Sequence, residues 1–180
     1  MRQNWQLWEG VLPKETCEKY LEACSYLNLQ DATIFKSKNH RPDHAVRTTK
    51  VAFVNNKEIQ NTIRWYLEEA NRNAFNVEAN YLPNTQYGEY SEGSFYDWHY
   101  DVNWKGERAY DRKLSICVQL CDSSEYEGGD FEFKEVEQPI GFRTQGSILV
   151  FPSYLTHRVT KVTKGTRKSL VNWIEGPRWR

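Results

Sequence analysis

The chain has 180 residues, enough for one domain with its own core and too many to depend on disulfide staples. Twenty-four Lys and Arg balance 24 Asp and Glu, so the formal net charge is zero and a general nucleic-acid binder is disfavoured. No apolar run is long enough to span a bilayer, the first ten residues show no secretory-signal pattern, and an aromatic content of 14% argues against disorder.

In chain order, the first predicted element is a helix over 13–27. Pro13 suits its first turn, and Cys17, Tyr20, Leu21 and Cys24 form an apolar stripe. A polar loop with Pro42 follows, holding His40 and His44. These two histidines are four apart, but the proline between them breaks a helical pairing. The β-branched run over 45–54 predicts a strand, and 56–75 predicts a second helix with Ile59, Ile63, Tyr66, Leu67, Ala70 and Ala74 on one face.

After Phe75 the pattern changes to short β-like runs over 77–90, 94–101, 113–122, 129–136, 146–153, 157–163 and 168–175. They are punctuated by Gly93, Gly106, Gly128-Gly129, Pro139, Gly146 and Gly165. Two helices followed by such strands predict an α+β, mostly β fold: a jelly-roll or cupin-like double-stranded β-helix with N-terminal helical support. The expected organisation is a single domain over 1–180, with helical support over about 13–75 and a β-helix core over about 77–175. The basic, aromatic tail "EGPRWR" reads as a frayed end.

The four cysteines, Cys17, Cys24, Cys117 and Cys121, contain no C-x-x-C pair. They are expected to be free, buried thiols, as in a reducing cytoplasm.

The chemistry concentrates in the β region. His99 and Asp101 are two apart in "DWHYD", so on a strand they share a face. His157 follows the strand ending in Phe151-Pro152. Two histidines and one carboxylate make the facial triad of non-haem Fe(II) oxygenases, which leaves open metal positions for a bidentate cosubstrate and dioxygen. Ten residues after His157, Arg167 offers a planar fork for a carboxylate, and Ser169 would face the same way.

These segments are similar to a known family. "YSEGSFYDWHYD" resembles a Y-x-x-G-x-x-Y-x-x-H-x-D pattern through Tyr90, Gly93, Tyr96, His99 and Asp101, and "SEYEGGDFEF" resembles a Y-x-G-G-[ED] turn. "GSILVFPSYLTH" is similar to a strand that delivers a distal His, "VNWIEG" to a closing strand with Trp173, and "VRTTKVAFV" to a V-R-T-S-like strand. From about residue 40 onward the chain resembles the Fe(II)/2-oxoglutarate-dependent dioxygenases, and within them the prolyl 4-hydroxylase-like group.

The resemblance implies that His99, Asp101 and His157 bind Fe(II), and that Arg167 binds the distal carboxylate of 2-oxoglutarate with Tyr90 and Ser169 assisting. Gln119 falls where relatives place a cosubstrate contact, although its residue type and position suit the core as well. Tyr96 and Trp173 would line the substrate pocket, and Arg47 would belong to a loop covering a peptide. The implied reaction consumes 2-oxoglutarate and O2, with ascorbate as a reductant, releases succinate and carbon dioxide, and hydroxylates a prolyl residue of a peptide or protein. Collagen-type relatives carry Lys where this chain has Arg167, which makes a collagen-like substrate less secure. Asp101 separates the chain from halogenases, which replace that carboxylate with a small residue. The alternatives are a dioxygenase acting on a free amino acid, a small metabolite or an alkylated nucleobase, and a non-catalytic jelly-roll binding module. No oligomeric state and no membrane association follow from the sequence.

Overall fold

A computed structural model describes residues 3–33, 43–105 and 108–180. His40, Arg41 and Gly106 therefore lie outside the described residues. Helix α1 (Lys14–Ser25) starts on Pro13, whose carbonyl accepts from the N–H groups of Thr16 and Cys17. It stops two residues before the expected end, where the Leu27 N–H turns back to the Cys24 carbonyl at 3.1 Å. Helix α2 (Lys57–Ala70) is capped by Asn56, whose side-chain oxygen accepts from the N–H groups of Glu58 and Ile59.

The predicted helix over 56–75 changes character at Asn71, where residues Asn71–Phe75 widen into a π turn closed by Asn76 at φ 48°. The Asn71 side chain is the reason for a clean exit. Its amide donates to the Val77 carbonyl and its oxygen accepts from the Val77 N–H, at 2.9 and 2.8 Å.

The strands are β1 (Gln6–Trp8), β2 (Gln30–Asp31), β3 (Lys50–Val54), β4 (Thr85–Ser91), β5 (Tyr96–His99), β6 (Tyr110–Gln119), β7 (Tyr126–Gly128), β8 (Phe131–Phe133), β9 (Ile148–Pro152), β10 (His157–Val159) and β11 (Val162–Pro177). The larger sheet runs β1-β9-β6-β11-β4-β3-β2, with β7 added along β11, and the smaller runs β5-β10-β8. Every pairing is antiparallel. Two facing antiparallel sheets with helices on the outside of one of them are the expected jelly-roll.

The alternation along the strands explains the layers. On the larger sheet, Tyr87, Leu114, Ile116, Val118, Ile148, Val150, Leu170 and Ile174 pack against Cys17, Tyr20 and Cys24 of α1 and Ile59, Ile63, Tyr66 and Leu67 of α2. The opposite face points between the sheets. There Cys117, Leu149 and Phe151 meet Phe133 and Phe142, with Phe131 beside them. Each fully buried Phe or Leu contributes about 1.5–3 kcal/mol, so this aromatic layer is what holds the small sheet to the large one.

Several boundaries differ from the sequence reading. The run over 77–90 is a strand only from Thr85, since Pro83 has no N–H for a ladder, and Tyr81 makes just an isolated bridge to Glu175. The 45–54 run is a strand only from Lys50, with Arg47 bridging to Tyr96. The short strands β1, β2 and β7 had no counterpart in the reading. The tail is anchored and not frayed. Trp179 donates its backbone N–H to Asp111 and its indole N–H to the Arg112 carbonyl, and stacks edgewise on Tyr154.

The four cysteines are buried and free. Burial pushes the thiols of Cys17, Cys24 and Cys117 up to about 11, 12 and 12.

Candidate active site

His99 is the last residue of β5 and His157 the first of β10, and the two are direct cross-strand partners in the smaller sheet. Their rings lie 4.2 Å apart between centroids. Each ring turns its Nδ1 to a backbone carbonyl two residues back, His99 to Asp97 at 2.7 Å and His157 to Leu155 at 2.9 Å. Those carbonyls can only accept, so Nδ1 carries the proton and Nε2 keeps a lone pair.

Both Nε2 atoms face Asp101, at 3.9 Å from Oδ1 for His99 and 3.7 Å from Oδ2 for His157. The three ligand atoms lie within 4.8 Å of one another, and all three side chains are nearly buried. Burial, reinforced by the neighbouring His157, lowers the His99 pKa to about 3, so the ring is neutral at neutral pH. Burial works against the Asp101 carboxylate, but His157, His99 and Arg112 outweigh it and hold the pKa down at about 2. Two imidazole nitrogens and one carboxylate, converging on one point, fit Fe(II).

A cavity of about 270 Å³ lies between the sheets. Its lining includes Phe131, which stacks on the His157 ring at 5.3 Å, so one ring stands between the cavity and the histidine. Arg167 lines the same cavity. Its side chain comes from β11 and is 3% exposed, yet no carboxylate of the described residues lies within ion-pair distance. Its neighbours are the Ser169 hydroxyl at 3.4 Å and the rings of Tyr90 and Phe142. Gly129 lets the β7–β8 turn come this close: it sits at φ +63°, and a Cβ there would meet Arg167 Cδ at 3.3 Å and Val162 at 2.9 Å.

The structure brings most of the expected residues together. Gln119 lines the cavity, and its amide donates to the Tyr126 hydroxyl at 3.1 Å and to the Cys121 carbonyl at 3.1 Å. Tyr90 pairs with Arg167 across β4 and β11 and offers its ring face, while Ser169 pairs with Gln119 across β11 and β6. Neither Tyr90 nor Ser169 lines the cavity itself.

Tyr96, Arg47 and Trp173 are not in the cavity lining. Tyr96 stacks flat on His99, with centroids 3.4 Å apart, and the Arg47 guanidinium lies 4.4 Å over the other side of that Tyr96 ring system. Arg47 also donates to the Gln86 side chain at 3.2 Å. Trp173 carries the Arg112 guanidinium 3.6 Å above its ring. His44 lies away from all of these, 3.8 Å from Asp31.

The sequence reading passed over Tyr126, Phe131, Arg143, Arg112, Ser115 and Ser153. Tyr126 belongs to the "YEGG" turn, which was read as a turn alone. Its phenol lies in the cavity wall, raised in pKa by burial against the opposing charges of Arg167 and Arg143. Arg143 clamps that turn through the carbonyls of Tyr126 and Gly128 and the Asp130 carboxylate. Ser115 follows from the i, i+2 rule, being on the same face of β6 as Cys117 and Gln119.

Comparison with known proteins agrees with this geometry. Residues 85–175, just over half of the chain, match the 2OG-Fe(II) oxygenase superfamily. That span contains every expected site residue except Arg47. A PKHD-type hydroxylase of Synechococcus sp. (strain CC9311) is 42% identical over 82 residues, covering 44% of this chain and 36% of that protein. A PKHD-type hydroxylase of Acidovorax ebreus (strain TPSY) is 35% identical over 106 residues, covering 52% and 45%. The chain thus spans less than half the length of these relatives.

Among solved structures, a Pseudomonas putida prolyl-4-hydroxylase superposes with a TM-score of 0.72 at 17% identity, covering 98% of this chain and 94% of that one. A Trichoplax adhaerens prolyl hydroxylase, in complex with a hypoxia inducible factor oxygen degradation domain peptide fragment, superposes with a TM-score of 0.74 at 14% identity, covering 95% and 83%. At these identities the superpositions establish the fold.

Proposed function

The chain belongs to the 2OG-Fe(II) oxygenase superfamily, and from that premise we propose that it hydroxylates a prolyl residue of a peptide or protein, converting 2-oxoglutarate and O2 to succinate and carbon dioxide. The observation that carries this reading is Arg167: a buried guanidinium with no acidic partner among the described residues, lining a cavity that the ring of Phe131 separates from His157. Burying an unpaired charge costs several kcal/mol unless an anion meets it. A dicarboxylate offers one carboxylate to Arg167 and leaves its 2-oxo acid end for the metal.

His99, Asp101 and His157 would hold Fe(II), which with 2-oxoglutarate and O2 supplies the oxidising chemistry. The protein's own residues orient and shield. The carbonyls of Asp97 and Leu155 keep the two Nε2 lone pairs aimed at one point. Ser169 and Tyr90 keep the Arg167 fork in place, and Gln119 with Tyr126 forms the polar wall beside it. Phe131, Phe133 and Phe151 surround His157 and exclude water from that side.

The prolyl assignment draws support from the names of the relatives. Beside the triad stand two cation–π pairs, Arg47 over Tyr96, which stacks on His99, and Arg112 over Trp173, and they would border the bound substrate. The helix-to-sheet core is continuous, which supports one functional unit over 1–180. The four free thiols suit a reducing compartment such as the cytoplasm, and ascorbate would serve as a reductant. No described helix is long and apolar enough to cross a membrane.

The test is succinate release with Fe(II) and 2-oxoglutarate, with and without proline-containing peptides. Peptide-stimulated succinate, with a 16-dalton gain on proline, is the expected result. Stimulation only by a free amino acid, a small metabolite or an alkylated nucleobase overturns the prolyl assignment. No 2-oxoglutarate turnover with any substrate overturns the oxygenase reading.

A further inference from the structure

Asp101 is the one proposed ligand whose orientation the backbone does not settle. The two histidines are locked through Nδ1, but a carboxylate on a short stem can rotate and offer either or both oxygens. Behind it lie two fully buried serines. Ser115 Oγ is 2.7 Å from Asp101 Oδ2 and 2.9 Å from Ser153 Oγ, and the two residues are 1% and 0% exposed.

An ionised carboxylate only accepts, so the single Ser115 proton goes to Asp101. The Ser115–Ser153 contact then has one solution: Ser153 donates and Ser115 accepts. The result is an ordered chain, Ser153 to Ser115 to Asp101, with every proton directed at the carboxylate. Such a chain strengthens its terminal bond in a low-dielectric interior.

The backbone anchors the same pair. The Asp101 N–H donates to the Ser153 carbonyl at 2.8 Å, and the Ser153 N–H donates to the Lys113 carbonyl at 3.0 Å. Ser153 therefore ties both the main chain and the side chain of Asp101 to the end of β9, four residues before His157 on the segment that delivers it.

We infer that Ser115, oriented by Ser153, is a positioning residue that fixes the rotation of the Asp101 carboxylate and so keeps it turned toward the Nε2 atoms of His99 and His157. This inference rests on the reading of His99, Asp101 and His157 as an Fe(II) site. Its consequence is functional: a carboxylate free to rotate would lose its convergence with the two imidazole nitrogens, and metal affinity with it.

The experiment is anaerobic titration of metal-free protein with Fe(II), and separately with Co(II) followed by its visible absorption. Wild type, Ser115→Ala, Ser115→Thr, Ser153→Ala and His99→Ala are compared, with thermal unfolding of each metal-free protein as a folding control. Ser115→Ala is expected to weaken Fe(II) binding by about 10- to 100-fold, the usual loss when a ligand's orienting partner is removed, and to change the Co(II) absorption. Ser115→Thr keeps the hydroxyl and restores both, and Ser153→Ala gives a smaller loss of the same kind.

If His99→Ala loses the metal while Ser115→Ala binds Fe(II) as the wild type does, the positioning role is overturned and the metal site stands. If wild type binds neither metal, both fall. Should Ser115→Ala fail to fold, Ser153→Ala decides, because its hydroxyl reaches the carboxylate only through Ser115. Unchanged Fe(II) affinity and Co(II) absorption in that variant overturn the inference.

Discussion

Two arginine-bearing walls flank the His99, Asp101 and His157 cluster, and they meet their charge in different ways. On the cavity side Arg167 is enclosed by a hydroxyl and by aromatic rings, with no acid of the described residues in reach. On the other wall Arg47 and Arg112 lie over the rings of Tyr96 and Trp173. There Arg112 lines a cleft shared with Asp111 and Glu175. A stacked guanidinium is held by cation–π attraction with acids nearby. A buried guanidinium among neutral groups is costly until an anion arrives. The first wall suits a small carboxylate of fixed shape, and the second is where, under the proposed function, a peptide would lie.

The largest effect tests what the two walls share. His99→Ala removes a proposed ligand from between them and is expected to reduce both Fe(II) binding and peptide hydroxylation to background. Retention of either would mean that the walls do not serve one metal.

Arg167→Met comes next and sharpens the difference. Truncating one side of a buried charged pair costs about 2–5 kcal/mol, so the KM for 2-oxoglutarate should rise by about 30-fold or more. The melting temperature of the metal-free protein should hold or rise, because an unmatched buried charge has been removed. The shift in melting temperature caused by 2-oxoglutarate should vanish. An equal rise in the peptide KM would erase the division of labour between the walls.

Trp173→Ala should produce the converse pattern. Losing a platform and its cation–π contact is worth about 0.5–2 kcal/mol, a few-fold to about thirtyfold rise in peptide KM, with the KM for 2-oxoglutarate little changed. Tyr126→Phe is smaller still. It deprives the Gln119 amide of an acceptor at 3.1 Å in the cavity wall, and about 0.5–1.5 kcal/mol predicts a two- to tenfold rise in the KM for 2-oxoglutarate alone. Steady-state kinetics with each substrate varied in turn reads both variants.

The same division marks what was legible in the sequence. The pairing of His99 with Asp101 and the spacing from His157 to Arg167 are local patterns, so the residues could be named before their geometry was seen. The helices were legible because an apolar stripe has a period. The contacts that tune these groups are long-range. Ser115 reaches Asp101 across 14 positions, Arg112 reaches Trp173 across β6 and β11, and Trp179 anchors beside Arg112 from the far end of the chain. No spacing rule reveals such partners, because they are set by sheet register. Short strands such as β1 and β7 are invisible for a related reason: three residues hold too little pattern, and each forms because a neighbouring strand offers an unpaired edge.

The smallest effect probes how closed the cavity wall is. Cys117 faces between the sheets while Cys17 and Cys24 sit on the buried face of α1, and burial holds all three thiols up at about 11 to 12. At pH 8 each should react with a thiol reagent only when the protein unfolds, so the three labelling rates should be equal and should follow denaturant. Linkage gives the pH dependence. Below about pH 9 the thiols are protonated in both states; above it they ionise in the unfolded chain alone, and the folded state loses stability as pH climbs toward 11 or 12. Cys24→Ala should therefore flatten the decline of unfolding free energy between pH 9 and 11, measured by chemical denaturation. Fast native-state labelling of Cys117 alone would mean that the wall beside Arg167 opens on its own, which would make it the more mobile of the two walls and reverse the comparison.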